Sequence, residues 1–86
     1  MNFYYTAEFE RGLKSLPKKL QEKTAKKLEL FKKNPRHPSL RIKKIKSVRG
    51  IWEGSIDKKY CFTFEREKNT IILRVIGAHN EVLKHP

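Results

Sequence analysis

The chain has 86 residues, enough for one domain with a single modest core that buries roughly 60–65% of the surface its unfolded form exposes. Its 21 Lys and Arg against 9 Asp and Glu leave a formal charge of +12, so a polyanion or an acidic protein is the expected partner. The one cysteine, Cys61, excludes an internal disulfide and leaves no paired thiols for zinc; with no signal-like or membrane-spanning run, a soluble cytoplasmic protein with no membrane partner, no metal and no cofactor is expected.

In chain order, Asn2-Phe-Tyr-Tyr5 is short and aromatic and reads as a first strand. Thr6 then offers a helix N-cap, and Phe9, Leu13 and Leu16 recur at helical spacing until Pro17 stops them. Pro17 suits the first turn of a second helix, along which Leu20, Thr24, Leu28 and Phe31 continue the apolar stripe. Lys18, Lys19, Lys23, Lys26, Lys27, Lys32 and Lys33 fall outside that stripe with Glu22 and Glu29 among them, the pattern of a solvated outer face. Asn34-Pro35 ends the helical hairpin, and Arg36-His37-Pro38-Ser39 is a proline-bounded loop.

Leu40 to Val48 mixes Leu40, Ile42, Ile45 and Val48 with bases in an imperfect alternation, which predicts a strand with a bulge or an early end. From Gly50 to Leu83 the chain reads as a three-stranded antiparallel meander. Tyr60, Phe62 and Phe64 alternate with Cys61, Thr63 and Glu65, so the aromatics face the core. Thr70–Ile76 is apolar on both faces, as an interior strand is, except at Arg74. Asp57-Lys58-Lys59 and Glu67-Lys68-Asn69 are turns of hairpin length. Gly77 releases the chain and leaves Ala78-His79-Asn80-Glu81 at a strand end, where side chains are available for chemistry. The order β-α-α-β-β-β-β predicts an α+β fold, one domain over residues 1–86, with a two-helix hairpin packed on a mostly antiparallel sheet of four to five strands.

Candidate functional residues follow from this layout. Arg41, Lys43, Lys44, Lys46 and Arg49 are five bases with no acid among them, able to hold phosphates as fixed cations. Trp52 and Tyr60 could stack nucleic-acid bases, although core packing is the favoured reading of Trp52 because large aromatics dominate small cores. Glu53 is a candidate general base or an ion-pair partner. His79, just beyond a strand and near cations, could move protons at neutral pH. Cys61 has no neighbouring histidine signature and reads as a small filler; His37 and His85 read as surface residues.

The element order, Gly50-Ile-Trp-Glu53, Tyr60-x-Phe-x-Phe64 and Ile76-Gly-Ala-His79-x-x-Val-Leu83 together resemble the RelE/ParE toxin superfamily, and within it the YoeB-like and YafQ-like branch. The resemblance implies a toxin of a type II toxin–antitoxin system that cleaves mRNA without metal, on the ribosome or free of it, by attack of a 2′-hydroxyl on the adjacent phosphate. It implies a cognate acidic antitoxin that folds over the concave face of the sheet in a hetero-oligomer. His79 matches the family's C-terminal histidine and Lys43, Lys44 and Lys46 its basic strand, with Arg74 joining them as a phosphate ligand. The family commonly carries arginine where this chain has Ser55 and Cys61, which keeps alternatives open: a ParE-like inhibitor of DNA gyrase, a weakened member acting by binding only, or a plain RNA-binding module. Alternation places Cys61 on the RNA-facing side, at a position expected to be solvated.

Overall fold

Thr6 joins strand to helix and helix to sheet in the computed structural model, which describes residues 1–86. Its Oγ1 accepts the N–H of Phe9 at 3.2 Å, capping α1 (Ala7–Ser15) just after β1 (Asn2–Tyr5). The same hydroxyl donates to the Leu73 carbonyl at 2.7 Å, so the cap also fixes α1 against β5 (Thr70–Ala78). Gly12 completes that docking: a Cβ there would stand 2.8 Å from the Ile76 carbonyl oxygen, so only glycine lets helix and strand approach this closely.

Pro17 separates α1 from α2 (Lys18–Lys33), as its fixed φ and missing N–H require. Along α2, Thr24, Leu28 and Phe31 are buried; the Thr24 hydroxyl can be, because it donates to the Leu20 carbonyl at 2.8 Å. Phe31 sits at the centre of the core, its ring 5.2 Å from Phe64 and 5.5 Å from Phe3, both edge-on. Phe9, Phe62, Phe64 and Leu73 are fully buried with it, each worth roughly 1.5–3 kcal/mol of transfer free energy.

The five-stranded sheet runs β1-β5-β4-β3-β2, with β2 (Lys43–Lys44), β3 (Trp52–Ser55) and β4 (Tyr60–Glu67). β1 pairs with β5 in parallel and all other pairs are antiparallel. The expected α+β layout therefore stands, with the hairpin on one face and β5 interior. No helix is long and apolar enough to cross a membrane.

Two segments differ from the sequence reading. Leu40–Val48 is not one strand: Pro38–Leu40 is a 3-10 turn that drives Leu40 fully into the core, and Arg41 leaves it in the left-handed region at φ 49°. Only Lys43–Lys44 pair as strand, after which Ile45 N–H still reaches the Ile51 carbonyl at 2.9 Å and residues 46–50 turn. Nor does Gly77 release the chain. It pairs with Cys61, and β5 runs on to Ala78 opposite Tyr60. His79–Lys84 is then a short helix, α3, that folds back so that Val82 is buried over Gly77.

Candidate active site

The alternation that sends Phe62 and Phe64 into the core sends Glu53, Ser55, Cys61 and Thr63 to the face away from the α1–α2 hairpin. There Lys43 lies opposite Glu53, Glu53 opposite Thr63, and Ser55 opposite Cys61. The turn into α3 brings His79 over the same area, held by its backbone N–H to the Lys59 carbonyl at 2.7 Å. Glu53 Oε1 then stands 3.4 Å from Lys43 Nζ and 3.9 Å from His79 Nε2. Glu53 is only 7% exposed, whereas the side chains of Lys43 and His79 remain open to solvent, which screens both pairings.

A cavity of about 700 Å3 opens above the cluster, within the size range of ligand pockets. Glu53, Cys61, Lys43 and His79 line it, with Arg41, Ser55, Asp57 and Lys58 from the flanking turns and Lys23, Lys27 and Ser39 from the helical side. Lys27 donates to the Ser39 carbonyl at 3.0 Å, and burial followed by the charge of Lys23 holds its ammonium below the ordinary lysine pKa. The face expected for Cys61 is the observed one, since it borders the cavity. Its expected solvation is not observed: it is 3% exposed, on the part of the sheet where α3 packs against β4 and β5, with Val82 over its strand partner Gly77. Burial, then the Glu53 charge, push its thiol up to about 11 against a smaller opposing pull from Lys43.

The structure thus gathers His79, Glu53, Lys43 and Arg41 of the residues anticipated from sequence. It leaves others elsewhere. Lys46 and Arg49 project from the turn between β2 and β3, exposed and outside the cavity. Trp52 and Tyr60 pack against the core on the helical side; Trp52 stacks on Phe64, with Arg66 4.6 Å and Lys44 5.3 Å from its ring centre. Arg74 is the extra residue at the register shift between Thr63 and Phe64. Its guanidinium pairs with Glu65 and donates through Nε to the Pro86 carbonyl at 3.1 Å, which also accepts Thr63 Oγ1 at 3.0 Å. Arg74 therefore ties down the segment after α3 and does not line the cavity. Lys23, Lys27 and Lys58 were not anticipated. Lys23 and Lys27, a helical turn apart beside buried Thr24, form a basic flank, but which flank of α2 borders a cavity is set by docking onto the sheet.

A helical hairpin on one face of a β1-β5-β4-β3-β2 sheet is the fold of RelE-like toxins. YafQ from Escherichia coli BL21(DE3) superposes with a TM-score of 0.79 at 13% identity, over 94% of this chain and 96% of that one. A chain of the RelB–RelE antitoxin–toxin complex from Methanococcus jannaschii gives 0.76 at 20% identity over 96% and 98%, and the YoeB dimer from Staphylococcus aureus 0.70 at 17% over 92% and 97%. No protein-family model matches the sequence, and no curated protein matches it.

Proposed function

We propose that this protein is the toxin of a type II toxin–antitoxin pair, acting in the cytoplasm as an endoribonuclease on mRNA, with the ribosome as one setting for the cut. The observation that carries this reading is the sharing of Glu53 Oε1 by Lys43 and His79 on the floor of a cation-lined cavity. In the reaction a 2′-hydroxyl attacks the adjacent phosphorus, the 2′-O–P bond forms and the P–5′-O bond breaks. Glu53 takes the 2′ proton and His79 gives one to the departing 5′-oxygen, which leaves a 2′,3′-cyclic phosphate and a free 5′-hydroxyl. Lys43 and Arg41 offset the charge that grows on the non-bridging oxygens, where fixed cations are most effective. The partner that silences the protein is an acidic antitoxin laid over this cavity, forming a hetero-oligomer; the charge of +12 supports it.

The test is induced expression with growth and RNA-end mapping. Growth arrest with new 5′-hydroxyl ends, both abolished by His79→Ala, is the expected result; RNA that stays intact while growth stops removes the nuclease reading. A second reading, toxicity by binding alone, as in a ParE-like gyrase inhibitor, is favoured by one observation. Ser55 and Cys61 stand where the resemblance calls for arginine, and Arg74 is engaged by Glu65. Gyrase inhibition without RNA cleavage decides for it.

A further inference from the structure

The cations of the cavity come from two sides: Lys43, Arg41 and Lys58 from the sheet and its flanking turns, Lys23 and Lys27 from the helical hairpin. Lys43 belongs to the reacting cluster and is paired with Glu53. Lys23 and Lys27 come from the helical hairpin, and no carboxylate pairs with either: the ion pairs of the protein join Lys33 to Glu29, Lys43 and His79 to Glu53, and Arg74 to Glu65. The carboxylates that line the cavity are both engaged elsewhere, Glu53 as described and Asp57 through Oδ1, which accepts the N–H groups of Lys59 at 2.8 Å and Tyr60 at 2.9 Å. Two like charges one helical turn apart repel each other. Here the repulsion is retained, and Lys27 is further drawn in from solvent by its contact with Ser39. An ammonium has three donors; the Ser39 carbonyl takes one of Lys27's, so two remain for a ligand.

Resting on the RNA reading above, we propose that Lys23 and Lys27 form a second phosphate subsite, which holds a phosphodiester of the same single strand next to the one cleaved at Glu53 and His79. The substrate strand then passes from the sheet face onto α2, and the hairpin contributes to binding as well as covering the core. These lysines act by charge on the backbone, so they raise affinity for any sequence alike.

The experiment uses the full chain and a single-stranded oligonucleotide with 2′-O-methyl riboses, which lack the attacking hydroxyl, so that binding is read whether or not the protein cuts RNA. Lys23→Gln/Lys27→Gln removes both charges and leaves a donor near Ser39; Lys26→Gln, on the same helix and outside the cavity, is the control. Each phosphate contact on a single strand contributes about 0.7 to the slope of log affinity against log salt. The double variant is expected to lower that slope by about 1.4 and the control to leave it unchanged. Equal slopes for parent and double variant, or equal losses in double variant and control, overturn the subsite. So does a double variant that loses binding to poly-glutamate while keeping that to RNA, which would make the lysines an acidic-protein contact. If the parent cleaves RNA and the slope does not move, the subsite alone fails; if the parent binds no RNA, the nuclease reading falls with it.

Discussion

His79 Nε2 and Glu53 Oε1 stand 3.9 Å apart although 25 residues lie between them in sequence, and Lys43 Nζ approaches the same oxygen at 3.4 Å. Lys43 is mostly exposed, so its pair with Glu53 contributes little to stability, and the cluster is expected to matter for rate far more than for folding. Glu53→Gln keeps the shape and removes the base. Its melting curve is expected to match the parent within about 1 kcal/mol, while single-turnover RNA cleavage falls roughly 10²- to 10⁴-fold with little change in KM. His79→Ala is expected to do the same. A rate within twofold of the parent in either variant removes that residue from the chemistry.

Cys61 makes the protein sensitive to alkali. Its thiol titrates near 9 in an ordinary setting and is raised to about 11 here, so above pH 9 the unfolded chain gives up the proton before the folded one does. The stability associated with the buried, protonated thiol is complete below pH 9 and is lost as pH climbs toward 11. The loss is on the order of 2 kcal/mol. Urea titrations at a series of pH values should therefore show a steeper alkaline decline for the parent than for Cys61→Ala. Native protein should resist thiol reagents at pH 8 and react fully once unfolded; rapid native labelling would contradict the burial.

The sheet's facing was legible in the sequence wherever a local pattern carried it. Tyr60, Phe62 and Phe64 read correctly as one face, Thr6 as a cap and Pro17 as the break between helices, because alternation, capping and a fixed φ act over a few residues. Leu40 to Val48 failed because Leu40 is claimed by the core from a 3-10 turn, a demand that the far side of the molecule imposes. The helix at His79 is six residues long, too short for periodicity to show, and is held by Val82 over Gly77. Cys61 shows the divide well. Its direction follows from its neighbours in the strand, its burial from the packing of α3 on β4 and β5, far along the chain.

Gly54 lies under the cavity floor with Phe62 directly across β4. A Cβ on Gly54 would stand 2.7 Å from one atom of the Phe62 ring and 3.0 Å from Ile42 Cδ1. Phe62 is fully buried and cannot swing aside. Gly54→Ala is expected to destabilise by about 1–3 kcal/mol through overpacking, read as a lowered melting temperature; an unchanged melt would mean that the Phe62 ring has another rotamer to use.

Arg74 offers a test of position against chemistry. Arg74→Ala should release Glu65 and the Pro86 carbonyl, at a cost of about 1 kcal/mol for partly solvated contacts. Hydrogen exchange is expected to quicken in α3 while the sheet amides stay protected, and the salt slope of RNA binding is expected to remain at the parent value. A slope reduced by about 0.7 would instead make Arg74 a phosphate contact.

The parallel pairing of Asn2–Tyr5 with Thr70–Leu73 joins the first strand to almost the last. A growing chain cannot form it until β5 has been made, and until then the hairpin that follows β1 has no central strand to dock on. Closing a loop that spans so much of the chain is entropically slow and is rewarded only once those distant partners meet. His79 lies one residue beyond β5. The core and the reactive cluster should therefore be completed together, in one late cooperative event, with no earlier fragment of the chain holding an assembled site.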